Sequence, residues 1–201
     1  MVPVPIPSLA GRRMSGSVRI IGGRWRGSKL PVADLPGLRP SADRVRETLF
    51  NWLQASVTGA RCLDLFAGSG ALGLEAASRG AAHVLLVERE PALAAALRTS
   101  VARFKGAADN VEIIEADALQ WLAQPPSQTF DIAFLDPPFA ERRWDSVFTA
   151  LPGWLSPAAW IYLESSIDAQ PPVPAGWILH REGRTREVRY ALYRSSALVP
   201  P

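Results

Sequence analysis

The apolar run Phe130–Leu135 ends on Asp136, followed by Pro137, Pro138 and Phe139. An acid closing a buried strand, a stiffened backbone and an aromatic ring are parts suited to an amine whose lone pair is delocalised into a heterocycle. Asp136 and the Pro137 carbonyl can accept the two N–H bonds of such an amine and draw its nitrogen toward a tetrahedral state with the lone pair exposed. The prolines fix φ and contribute no competing N–H, and Phe139 offers a face on which a base can stack. The remaining catalysis is proximity and alignment for an in-line displacement. A strand followed by a simple proline turn would explain the prolines but neither the acid nor the ring. No metal is required, and Cys62 with two separated histidines, His83 and His180, supplies too few soft ligands for a zinc site.

Upstream, Gly68, Gly70 and Gly73 spell G-x-G-x-x-G after a second apolar strand, and Glu88 ends the strand after that. Taken literally this is the dinucleotide fingerprint, and an NAD-dependent dehydrogenase is a competing reading. Asp64 decides against it. A carboxylate inside the strand, beside the loop, would repel a pyrophosphate but attract a ligand bearing an ammonium and a sulfonium, as S-adenosylmethionine (SAM) does. Phe66, Ala67, Gly68, Ser69 and Gly70 form the loop expected to wrap that cofactor, the glycines allowing close backbone approach. Glu88 can accept from both ribose hydroxyls. Asp117, just past the third strand, can hold an adenine amino group or cap a helix.

These residues need a framework that brings strand ends together. From Arg61 onward, apolar strands alternate with helical segments: strands at 61–66, 83–87, 111–115, 130–135 and 160–163, helices at 71–78, 91–104, 118–123 and 144–151. That order predicts a doubly wound, mostly parallel α/β sheet whose ligands bind beyond the carboxyl ends of the strands. Residues 177–180 and 188–193, joined through Gly183, read as a closing antiparallel pair. Before this domain, Val18–Ile21 and Arg24–Leu30 flank Gly22 and Gly23 as a β-hairpin. Val45, Leu49, Trp52 and Leu53 then recur with helical spacing. The expected organisation is a flexible extension over 1–17, a basic hairpin and loop over 18–40, and the catalytic domain over 41–201.

The charge is uneven. Residues 1–46 hold nine Lys/Arg against Asp34 and Asp43, a net +7, while the remaining 13 basic and 17 acidic residues give −4. A basic front on an acidic body suggests a polyanionic partner, with Arg19, Arg24, Arg26 and Lys29 as phosphate contacts. The apolar runs are too short to span a bilayer, the three prolines of residues 1–7 oppose a signal helix, and a single cysteine fits a reducing cytoplasm. No membrane partner is expected.

In order along the chain, Arg39–Leu53 (RPSADRVRETLFNWL), Asp64–Gly70 (DLFAGSG), Asp136–Phe139 (DPPF) and Tyr162–Ser165 (YLES) resemble the RsmD family, with the likeness running from about Val18 to Arg194. The family pattern often has threonine where this chain has Ser41, a change that preserves the helix cap. The resemblance implies a class I SAM-dependent methyltransferase with a small N-terminal β-hairpin extension and a seven-stranded sheet. It also implies methylation of the N2 amine of one guanine in 16S ribosomal RNA, in a partly assembled 30S subunit, by a monomer. By position, Asp64, Gly68, Gly70, Glu88 and Asp117 would hold SAM, and Asp136, Pro137 and Phe139 the base. Arg39, Arg44 and Arg46 would face RNA or the cofactor. Only the resemblance supplies guanine N2; the spacing permits an adenine or cytosine amine equally. A DNA adenine-N6 methyltransferase is the nearest alternative, though no segment is long enough for a DNA-reading domain. A non-catalytic RNA-binding assembly factor is another, opposed by the intact tetrapeptide.

Overall fold

The computed structural model describes residues 14–33, 43–137, 144–169 and 171–196. Its strands are β1 (Met14–Arg19), β2 (Lys29–Ala33), β3 (Arg61–Asp64), β4 (His83–Glu88), β5 (Val111–Glu115), β6 (Phe130–Leu135), β7 (Leu155–Ser166), β8 (Trp177–Arg184) and β9 (Val188–Ser195). Its helices are α1 (Asp43–Trp52), α2 (Ala71–Ser78), α3 (Pro91–Arg103), α4 (Ala118–Leu122) and α5 (Trp144–Ala150). Seven strands form one sheet in the order β5-β4-β3-β6-β7-β9-β8. β3 to β7 run parallel, whereas β9 is antiparallel to β7 and to β8. Among the described residues, no helix is long and apolar enough to cross a membrane.

The strands are apolar on both faces because both faces are covered. Cys62, Val84, Leu86, Phe134 and Tyr162 point toward α1, α2 and α3, where they meet Leu49, Phe50, Leu74 and Leu97. Their neighbours Leu63, Leu85, Val87, Ala133, Leu135 and Ile161 point the other way, toward Trp121, Phe148 and Trp154. The strand order reverses between β3 and β6, which opens a crevice beyond their carboxyl ends.

Several boundaries differ from expectation, and three have a clear physical cause. β1 begins at Met14, inside the segment read as a flexible extension, because it pairs with β2 from Met14↔Ala33 to Arg19↔Lys29. β2 begins at Lys29 rather than Arg24, since Gly23–Trp25 is a 3-10 turn. That turn drives Trp25 into the core, stacked on Phe104 at 5.1 Å with its indole N–H donating to the Lys105 carbonyl at 3.2 Å. β7 runs well past Trp160–Leu163 because β6 and β9 flank it and supply ladder partners on both edges.

Candidate active site

The loop between β3 and α2 is fixed by its backbone. Gly70 has φ of +76°, and its N–H donates to the Ala67 carbonyl at 2.6 Å, turning the chain into α2. A side chain there would be strained and would meet Leu97 at 2.6 Å. A Cβ at Gly73 would lie 2.2 Å from Leu86, so this glycine lets α2 settle against the sheet. The Ala67 N–H donates to the Val87 carbonyl at 3.0 Å, tying the loop to β4. Phe66, Gly68 and Ser69 are half-buried along it.

Two acids bracket this loop. Asp64 ends β3 at 1% exposure and accepts the Gly73 N–H at 2.9 Å. Burial pushes its carboxyl up to about 7; the Gly73 bond opposes that rise and the Glu88 charge adds to it. Glu88 ends β4 and accepts from the Gly68 N–H at 2.7 Å and the Glu90 N–H at 2.8 Å. It too is raised above the usual carboxylate range, chiefly by burial and against those two bonds. Two neighbouring buried carboxylates, each costly in its charged form, fit a cationic ligand such as SAM. The thiol of Cys62, two residues before Asp64, is buried and pushed up in pKa, first by burial and then by Asp131 and Asp64.

Asp117 caps α4, its Oδ1 accepting the N–H groups of Leu119 at 3.0 Å and Gln120 at 3.2 Å. The helix-cap reading is therefore realised, at the strand end where the adenine contact was expected. Asp136 follows β6 directly and is half-buried, with Pro137 buried behind it. Pro138 and Phe139, and Arg39 of the basic set, lie outside the described residues. Asp64, Glu88, Asp117 and Asp136 thus share one end of the sheet, on or just after four adjacent strands.

The basic residues divide. Arg19, Arg26, Lys29 and Arg44 are exposed. Arg24 is exposed as well, donating to Asn110 Oδ1 at 2.9 Å and lying 4.3 Å over the Trp25 ring. Arg46 corrects the sequence reading: it is 0% exposed and cannot present its charge to RNA. Its Nη2 donates to the Arg19 carbonyl at 2.8 Å and Asp43 Oδ1 at 2.7 Å, and its Nη1 lies 3.9 Å from Glu75. An arginine inside the molecule needs such partners, and these join α1 to β1 and α2.

Sequence reasoning missed Glu75. It is fully buried in α2, all eight of whose residues are buried. It accepts the N–H groups of Ile21 at 2.7 Å and Gly22 at 2.8 Å and the Arg79 Nε at 2.7 Å. Ser78 Oγ accepts the Trp25 N–H at 2.9 Å and donates to the Gly22 carbonyl at 2.6 Å. The basic hairpin is bolted to the helix that follows the glycine loop. The available signal was a lone acid inside an otherwise apolar helix.

An open, mostly parallel sheet of this order, with a glycine loop after its first strand and acids at successive strand ends, defines the class I SAM-dependent methyltransferase fold. The chain matches the family described as conserved hypothetical protein 95 over residues 18–194. It is 49% identical over 186 residues to the ribosomal RNA small subunit methyltransferase D of Escherichia coli K12, covering 91% of this chain and 92% of that one. The Haemophilus influenzae protein of the same name is 44% identical over 183 residues, 90% of this chain and 95% of that one. The solved structure of the Escherichia coli protein yhhF superposes with a TM-score of 0.83 at 48% identity, covering 90% of this chain and 99% of that one. The chain belongs to this family, the RsmD family.

Proposed function

We propose that this chain is a SAM-dependent methyltransferase acting on the exocyclic N2 amine of a guanine in 16S ribosomal RNA, within a partly assembled 30S subunit. The observation that carries the reading is Asp136, half-buried at the carboxyl end of β6, beside the strands whose ends bear Asp64, Glu88 and Asp117. Relatives named ribosomal RNA small subunit methyltransferase D support the RNA class. Guanine N2 rests on the family resemblance. We further propose that the enzyme works as a monomer in the cytoplasm.

Bound SAM supplies an electrophilic methyl group on a sulfonium. Asp64 and the loop from Phe66 to Gly70 hold its cationic end by charge and close backbone contact. Glu88 would accept from the ribose, and Asp117 would add an adenine contact to its capping bonds. Asp136 accepts one amine N–H and the Pro137 carbonyl the other, which turns the nitrogen lone pair toward the methyl. Asp136 would stabilise the positive charge that methylation brings to the amine nitrogen and would take the departing proton. Phe139 stacks on the base. Arg19, Arg24, Arg26, Lys29, Arg39 and Arg44 meet phosphates.

The test is incubation with SAM and unmethylated small subunits, with mass mapping of the modified nucleoside. N2-methylguanosine at one position is expected. Asp136→Ala should lower the single-turnover rate roughly a hundred- to thousandfold, the scale for losing one preorganised charge-stabilising group, with SAM affinity kept. A near wild-type rate would overturn the assignment.

A further inference from the structure

The acids assigned to the cofactor lie on one side of Asp136, on β3, β4 and the turn after β5, which succeed one another away from β6. On the other side of β6 stands β7, and near its end is Glu164, a 4% exposed carboxylate with no part in the mechanism above. In-line transfer requires the attacking nitrogen opposite the departing sulfur. With the cofactor over β3, β4 and β5, the β7 side is the one left for the base.

Several observations fix Glu164 there. The parallel pairs Phe134↔Tyr162 and Leu135↔Leu163 make Asp136 and Glu164 the next residues along adjacent strands. Tyr162 and Glu164, two apart on one strand, share a face, and the Tyr162 hydroxyl donates to Glu164 Oε2 at 2.7 Å. Tyr162 is fully buried, its ring edge-on to Phe134 at 6.4 Å. Burial, and then the charges of Glu164 and Asp136, hold its proton on, so the phenol stays a donor to Glu164. A carboxylate offers about four acceptor positions, and the Tyr162 bond orients this one.

We propose that Glu164 is a specificity-determining residue that accepts the N1–H of the target guanine while Asp136 holds the adjacent N2 amine. This rests on the guanine-N2 reading. Guanine presents N1–H and N2–H side by side as donors, which two neighbouring carboxylates match. Adenine presents a lone pair at N1, which Glu164 repels, so one group both selects the right base and rejects the wrong one.

The test uses small subunits reconstituted with RNA carrying either guanine or 2-aminopurine at the mapped position. 2-Aminopurine keeps the amine but has an acceptor at N1. The wild type should favour guanine in kcat/KM by roughly ten- to hundredfold, the range for one base-edge contact pair. Glu164→Gln should slow methylation of guanine and shrink or invert that ratio, because its amide can donate to N1 of 2-aminopurine; S-adenosylhomocysteine affinity should stay within about twofold. A merely structural role would slow both substrates alike and leave the ratio unchanged, which would overturn the proposal. So would a wild type that methylates both equally, and that measurement decides the matter even if Glu164→Gln fails to fold. A product other than N2-methylguanosine would overturn the guanine reading itself and is recognised at the mapping step.

Discussion

Glu75→Ala removes the acceptor for two hairpin N–H groups and the Arg79 Nε, and strips Arg46 of a carboxylate partner 3.9 Å away. Glu75 and Arg46 side chains are both 0% exposed, while Asp43, the other carboxylate on Arg46, is 69% exposed and screened by water. Breaking one half of a buried pair costs about 3–5 kcal/mol, because the remaining charge stays buried without its partner. That is a large share of a typical stability of about 5–15 kcal/mol. For a chain of this size, each kcal/mol moves Tm by about 2–4 °C, so a fall of about 6–20 °C is expected in thermal unfolding followed by circular dichroism. Urea unfolding should give a lower midpoint with an unchanged slope. The double variant Glu75→Leu/Arg46→Met should cost less than the sum of the singles, since it removes the Arg46 charge that Glu75→Ala leaves buried. A Tm within about 2 °C of wild type for Glu75→Ala would refute the reasoning, because it would mean the pair is solvated or the hairpin is held by other contacts.

Three further outcomes follow from the site. Asp117→Ser should keep the α4 cap and hold Tm while weakening SAM binding, whereas Asp117→Ala should also lose about 0.5–2 kcal/mol of stability; equal SAM affinity in Asp117→Ser, by calorimetry, would leave Asp117 a cap alone. Neutralising Arg26 and Lys29 should flatten the log–log salt dependence of RNA binding by about 0.7 per contact without touching SAM affinity, and an unchanged slope would make the hairpin a solvated surface. Asp64 folds with a carboxyl raised to about 7, above its unfolded value near 4, so the folded state binds the extra proton and its stability falls as pH rises across that window. A cation beside Asp64 expels that proton, so SAM binding near pH 6 should release protons, read as a binding enthalpy that varies with buffer in the wild type and varies less in Asp64→Asn.

The sheet was legible because its strands are buried on both faces and read as unbroken apolar runs, and because glycine and an acid recur at their ends. Those signals are local. Glu75 was invisible for the opposite reason: its partners Ile21 and Gly22 are 54 and 53 residues away and contribute backbone N–H groups, which carry no side-chain signature. Arg46 misled because counting charge assigns every arginine to the surface. The helical spacing of Val45 and Leu49 already put Arg46 beside the buried stripe of α1, and the structure finds Arg46 buried with them. The hairpin turn went wrong at Trp25 because glycines suggest a tight turn, while the core's need for an indole against Phe104 reshapes it into a 3-10 turn.

The same helix links both misread residues to the expected site. α2 takes the Gly73 N–H to Asp64 at its first turn and, on Glu75 and Ser78, fastens the hairpin at its last. Arg46 closes the circuit, since it donates to the Arg19 carbonyl on β1 and lies 3.5 Å from the Ala71 carbonyl at the start of α2. A group that displaces the hairpin must therefore move α2 or break a buried ion pair, and a group that orders the glycine loop steadies the far end of the same helix. The exposed arginines of the hairpin are thus held in fixed relation to the crevice beyond β3 and β6, where we place the chemistry. Fixing phosphate contacts against a reaction centre makes binding energy usable for alignment, and a buried Glu–Arg pair at the joint achieves that with eight residues of helix.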